Sequence, residues 1–231
     1  MTETCHRLPG VQDQQSARHR RVIIGHEQML PGALAIISGQ HSRDVDNAAA
    51  PWLLRPGLLI GRISASGLYA ASILGALSSA YDGEGTELNV TTAVAEEVER
   101  RVGPTGTLRL VGPAEAGGEV NEQTFTMTAI DTAAGTITLS ESLEDGAIAG
   151  ALLTAADGSG DPRSFIPDGS GVRVVDNNRT DIEAPLPVLP VGGVVESEKL
   201  IPWPEEASLR GWIVRKLTAR GAAHFTFTHL L

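Results

Sequence analysis

The chain has 231 residues, 42% of them hydrophobic, which is enough to bury a core in one large domain or two small ones. Twenty-eight acidic against 18 basic side chains leave a net charge of −10, which excludes a protein held to nucleic acid through phosphate contacts. Aromatic residues are 4% against 26 Gly and 13 Pro, a balance that favours short strands and loops over long helices.

The charge is unevenly spread. Residues 84–168 hold 15 acidic and 4 basic side chains, a net of −11, and the remainder carries +1. An acidic block of this kind reads first as a solvated surface that resists aggregation. The single cysteine, Cys5, rules out an intrachain disulfide. The N-terminus lacks the apolar segment of a secretory signal, and no apolar run approaches the ~20 residues of a membrane span. The expectation is synthesis in the cytosol with no membrane partner.

Taken in chain order, Met1 to about Arg21 is polar and unpatterned, and residues 1–29 are assigned as a flexible N-terminal arm. Its basic end runs into a β-branched stretch. Arg20, Arg21, Val22, Ile23 and Ile24 are therefore the candidate binding residues, as an arm that adds a strand to a partner's sheet. The alternative for Val22–Ile24 is the first strand of the chain's own fold. Next come an apolar run, "GALAIISG", and a polar loop, "QHSRDVDNAAAP". In "RPGLLIGRISASGLYAAS", Arg55 to Ser72, two short strands flank a small-residue turn, with Gly67 at a position suited to positive φ.

Beyond the break at Asp82–Gly85, Val90, Val94, Val98 and Val102 recur at i, i+4 and predict a helix. Asn89 or Thr91 caps its start and Gly103 its end. "GTLRLVG" reads as a strand, "TFTMTAIDTAAGTITLSESL" as a hairpin around "TAAG", and "AIAGALLTAADGSG" as one more strand. "APLPVLPVGG" is extended. The next helix carries Leu209, Trp212, Ile213 and Leu217 on one face, with Pro204 near its first turn and Gly221 as its stop. "HFTFT" reads as a final strand. The fold class is mainly β with few helices (α+β). Residues 30–83 and 169–231 form a small core domain, and 84–168 an inserted, acidic, β-rich module with one helix.

The sequence offers little for catalysis. The six histidines form no HExxH or other compact zinc spacing, and no GxSxG elbow is present. Cys5 lacks a fixed neighbouring base. Glu96, Glu97 and Glu99 fall opposite the valine stripe, where a solvated face is expected. The "DGSG" segments lack the closing Glu of a twelve-residue Ca²⁺ loop. No catalytic residue, metal ligand or cofactor is assigned, and the chain is read as a non-enzyme.

Two separated stretches resemble one family. Arg55–Ser72 is similar to the segment that precedes the sheet in lambda-type bacteriophage head decoration (capsid cement) proteins. Pro190–Phe225, "PVGGVVESEKLIPWPEEASLRGWIVRKLTARGAAHF", resembles their C-terminal run, with Leu200-Ile201-Pro202 and Arg220-Gly221-Ala222 in the places of its Leu-Pro step and its helix-to-strand turn. The acidic block between the two stretches departs from the family pattern.

The resemblance implies a structural virion protein that binds the outer surface of an expanded head as a homotrimer. Its arm would engage the major capsid protein and tie capsomers together against packaged DNA. The competing reading is a receptor- or glycan-binding module on a particle surface, for which the block offers just Phe125 and Phe165 as aromatic platforms.

Overall fold

The computed structural model describes residues 22–167, 169, 171–219 and 224–228. The first part of the chain forms β1 (Ile23–Ser38), a 3-10 turn at Gly39–His41, β2 (Leu53–Leu54), β3 (Leu59–Arg62) and β4 (Tyr69–Ala71). Then come β5 (Ile73–Ala76), β6 (Glu87–Asn89), α1 (Thr92–Val102), β7 (Thr107–Gly112), β8 (Asn121–Asp131), β9 (Thr136–Leu139) and β10 (Leu152–Ala155). The chain closes with β11 (Ser164–Phe165), β12 (Val172–Arg173), β13 (Glu183–Glu196), α2 (Ala207–Thr218) and β14 (His224–Thr228). Among the described residues the architecture is mainly β with two α-helices, as the composition predicts.

Two six-stranded sheets organise it. The frame sheet has the order β11-β3-β4-β1-β13-β14, and the module sheet β5-β10-β7-β8-β9-β6. In the frame, β1 runs antiparallel to β13, and β14 lies parallel on the far side of β13. The Arg55–Ser72 stretch is the expected hairpin, with Ile60 opposite Ala71 and Arg62 opposite Tyr69. Its turn needs glycine: Gly67 has φ +75°, and its carbonyl accepts from Arg62 Nε at 3.0 Å.

The second sheet does not coincide with the acidic block but is displaced toward the N-terminus. Its first strand is β5, paired with β10 (Ala76 opposite Leu152), so it spans Ile73–Ala155 rather than residues 84–168. The glycine-rich break at Asp82–Gly85 is a loop inside it. After Ala155 the chain returns to the frame: the Ser159–Asp161 loop packs on Gly61, and β11 pairs with β3. At the N-terminal end, β1 begins inside the stretch read as arm, because Val22 and Ile23 find an apolar core within the same chain.

Inside the module, the valine stripe holds in part. Val94 and Val98 of α1 are buried with Leu74, Leu88, Leu108, Leu110, Phe125 and Met127, and Val102 is partly buried, but Val90 precedes the N-cap and is buried as the bridge partner of Leu77. Thr91 is the N-cap of α1, its hydroxyl accepting from Val94 N at 3.3 Å, and Gly103 ends the helix at φ +83°. In β8, Phe125 and Met127 point inward while Thr124, Thr126 and Thr128 face solvent. Asp131 accepts from the amides of Ala133 and Ala134, and Gly135 takes φ +69° to close the β8–β9 hairpin. Replacing Thr91 with alanine removes the cap, and urea titration should show a loss of about 1 kcal/mol with an unchanged m-value.

Helix α2 joins the two units. Leu209, Trp212, Ile213 and Leu217 are buried, as their 3–4 spacing predicts. They share one core with Ile23, Leu59, Phe165, Val195 and Phe225 of the frame and with Ile73, Val111 and Leu152 of the module. The N-cap is Glu206, and Pro204 lies just ahead of the helix. Gly221 is outside the described residues.

Candidate interaction surfaces

The five residues singled out for strand addition divide. Arg20 and Arg21 lie outside the described residues. Val22 and Ile23 are fully buried in the core that holds Trp212, and the Val22 carbonyl accepts from Glu196 N at 2.9 Å. Ile24 continues β1. The reading of this run as the first strand of the chain's own fold therefore holds for Ile23 and Ile24, with Val22 packed just ahead of it. Val22 is thus anchored in the chain's own core and is not available to a partner's sheet.

Gly57 builds the seat for that anchor. It has φ +90°, and a Cβ there would stand 2.1 Å from the Lys199 carbonyl oxygen and 3.3 Å from Val22 Cγ2. Gly57 N donates to Ile166 O, and its carbonyl accepts from Ile201 N, both at 2.9 Å. Three distant stretches thus close around the point where residue 22 enters the frame.

The strand that follows has one open side. β1 meets β4 at the single pair Ile37–Tyr69, so among the described residues its ladder from Gly25 to Ile36 runs along β13 alone. A strand with a neighbour on one side is a template for another strand. β14 forms the outer edge at the other end of this ladder.

The seam between frame and module is polar on both flanks of the shared core. On one flank, four charges alternate in a closed ring. Arg109 of β7 donates to Glu122 of β8 and to Asp161 of the return loop, both at 2.8 Å. Lys216 of α2 contacts the same two carboxylates at 2.9 Å. Trp212 Nε1 donates to Glu122 at 2.8 Å, and the Lys216 ammonium lies 5.3 Å from the Trp212 ring centroid.

Partial burial disfavours ionisation of both carboxyls. Trp212, Lys216 and Arg109 more than offset it at Glu122, as do Lys216 and Arg109 at Asp161, so both sit below their usual range.

On the other flank, α1 reaches into the frame. Arg101 is buried and donates to the Ala71 carbonyl and to Ser159 Oγ, with Asp157 at 3.8 Å. Arg100 donates to the Gln40 carbonyl and holds Glu97 through bonds of 2.7 and 2.6 Å. This corrects the expectation for the glutamate cluster. Glu96 and Glu99 are exposed, but Glu97 is buried at 5% exposure, paired with Arg100 and lining a cleft shared with Arg43, Val45 and Pro51 of the frame. His41 is bonded to Ser38 Oγ at 2.8 Å, and its pKa is lowered chiefly by burial and then by Arg101.

The sequence hints at one edge of this arrangement, since Trp212 and Lys216 are i, i+4 neighbours on a helix. Nothing local ties Arg109 to Asp161. Among the described residues, no three His, Cys, Asp or Glu side chains are grouped to hold a metal ion. A cleft of about 440 Å³ opens at the seam between Ala76 and Leu152 of the module and Pro202, Trp203 and Pro204 of the frame. No protein-family model, curated protein or solved structure matches the chain.

Proposed function

We propose that this chain is a structural virion protein of the capsid-decoration type: a homotrimer on the outer surface of an expanded bacteriophage head, gripping the major capsid protein through residues upstream of Val22. The observation that carries this reading is where the two family-like stretches fall. Arg55–Ser72 supplies β3 and β4, and Pro190–Phe225 supplies the end of β13, α2 and the start of β14. Far apart in sequence, they lie in one sheet and share one core through Leu59, Val195, Leu200, Leu209, Trp212 and Phe225. The module leaves this frame after β4 and returns before β11, an addition that keeps the frame's sheet whole.

The physics suits the role. A single segment of about twenty residues offers modest affinity, because ordering it costs on the order of 1–2 kcal/mol per residue. Three copies on a trimer raise the effective concentration of each second contact and convert weak grips into firm attachment. Anchoring Val22 in the core transmits the grip to the folded body. Residues 1–21 hold four Arg against one Asp and one Glu, so they are cationic on a body of opposite sign. Cryo-electron microscopy of expanded heads incubated with the protein tests the placement. Trimeric density at three-fold and quasi-three-fold positions is expected, and bare heads at saturating protein would refute it.

A further inference from the structure

The two flanks of the seam use different chemistry. On the α2 flank, the cross-seam polar contacts end on carboxylates. Module Glu122 accepts from frame Trp212 and Lys216, frame Asp161 accepts from module Arg109, and frame Glu206 accepts from the module's Gly117 amide at 3.3 Å. On the α1 flank, the acceptors are mainly groups that do not titrate: the Gln40 and Ala71 carbonyls and the Ser159 hydroxyl. We propose that the seam is an acid-operated latch, in which loss of the Glu122–Asp161 ring frees the module from α2 while the arginines of α1 remain as the hinge.

Other charged and polar groups lie beside the ring. Arg109 also donates to Thr154 of β10 at 3.2 Å. Glu141 and Glu144 line the same cleft as Glu122, and Asp145 accepts from Asn121 at 3.1 Å. With both ring carboxylates ionised, the ring is neutral. Protonate them and Arg109 and Lys216 face each other without counter-charge, while Trp212 loses its anionic acceptor.

On the hinge flank, Asp157 lies beside Arg101 and Glu97 beside Arg100, but the bonds to Gln40 and Ala71 need neither. His41 gains a proton there in acid, yet its ring bond is to Ser38, within the frame. Each unit keeps a core of its own: the module's lies between α1 and its sheet, and a further frame core holds Ile37, Ile60 and Ile166.

The sign follows from the direction of the shifts. Glu122 and Asp161 have depressed folded-state values, so their contribution is complete above the unfolded carboxylate range near pH 4 and fades as pH falls through the lower folded values. Glu206 acts in the same sense, its carboxyl lowered by the Ser208 amide first. The latch is closed at neutral pH and opens below about pH 4. This inference concerns the fold alone and does not depend on the decoration reading.

Hydrogen exchange on the full chain, corrected for intrinsic rates, tests it at pH 7 and near pH 3. Peptides covering α2 and β7 are expected to lose at least about tenfold in protection in acid, while peptides from β8–β9 and α1 keep theirs (a tenfold change corresponds to about 1.4 kcal/mol). The doubly neutral variant Glu122→Gln/Asp161→Asn should show the open pattern already at pH 7 and little further change in acid. The latch is overturned if α2 and β7 lose protection only together with β8–β9. It is equally overturned if the double variant keeps the wild-type pH profile. Should that variant fail to fold, the wild-type series alone decides between the two patterns.

Discussion

Replacing Trp212 with alanine is expected to lower the stability of the whole chain by about 3–5 kcal/mol, the range for removing a buried tryptophan from a core. Trp212 is 2% exposed and touches both units through the shared core. Alanine leaves a cavity between frame and module and takes the indole donor from Glu122, whose burial then has one fewer partner. For a chain of this length the loss corresponds to a fall in Tm of about 10 °C. Trp212→Phe separates the two contributions. It keeps most of the volume and loses the hydrogen bond, so it should cost less than half as much. Thermal unfolding followed by circular dichroism reads both. An alanine variant within 1 °C of wild type would mean that α2 does not hold the two units together.

Gly57→Ala should be comparably damaging for a different reason. The residue has positive φ, and a methyl group would meet the Lys199 carbonyl at 2.1 Å, a contact with backbone that cannot rotate away. Conformational strain of about 1–3 kcal/mol and steric overpacking of similar size combine to an expected loss of about 2–4 kcal/mol. Because Val22 and Ile201 pack on the same spot, the damage should spread to the point where residue 22 enters the frame. Protease cleavage near residues 22–25 should then quicken in the variant relative to cleavage in the module. Equal rates at both places would show that Gly57 supports the fold generally and not the anchor.

The local features were legible. The valine spacing of α1, its Thr91 and Gly103 ends, the apolar face of α2, and the hairpins at Arg55–Ser72 and around "TAAG" all depend on residues within one or two turns of each other. What could not be read depends on contacts across the chain. The module boundary fell at Asp82–Gly85 in the sequence because glycines mark turns, but a turn within a module looks the same as a turn between modules. It is the pairing of β5 with β10, about 75 residues away, that assigns Ile73–Ala76 to the module.

Glu97 reads as a solvated carboxylate by position on its helix, yet it is buried and paired with Arg100, which itself bonds to Gln40 of the frame. Val22 and Ile23 have the composition of a docking strand, and their own core claims them first. The charge ring joins residues from β7, β8, the return loop and α2, a constellation that no single window of sequence contains.

The proposed attachment of the folded body to a phage head runs through residues upstream of Val22. Co-sedimentation with expanded, empty heads assembled from the major capsid protein of the same genome tests this proposal. Full-length protein is compared with a form lacking residues 1–21, which leaves the buried Val22 and Ile23 in place. Saturable pelleting of the full-length chain is expected, with at least a tenfold weaker association of the shortened one and unchanged circular dichroism. Equal pelleting of the two forms would contradict the arm mechanism, and pelleting of neither would contradict the decoration reading itself.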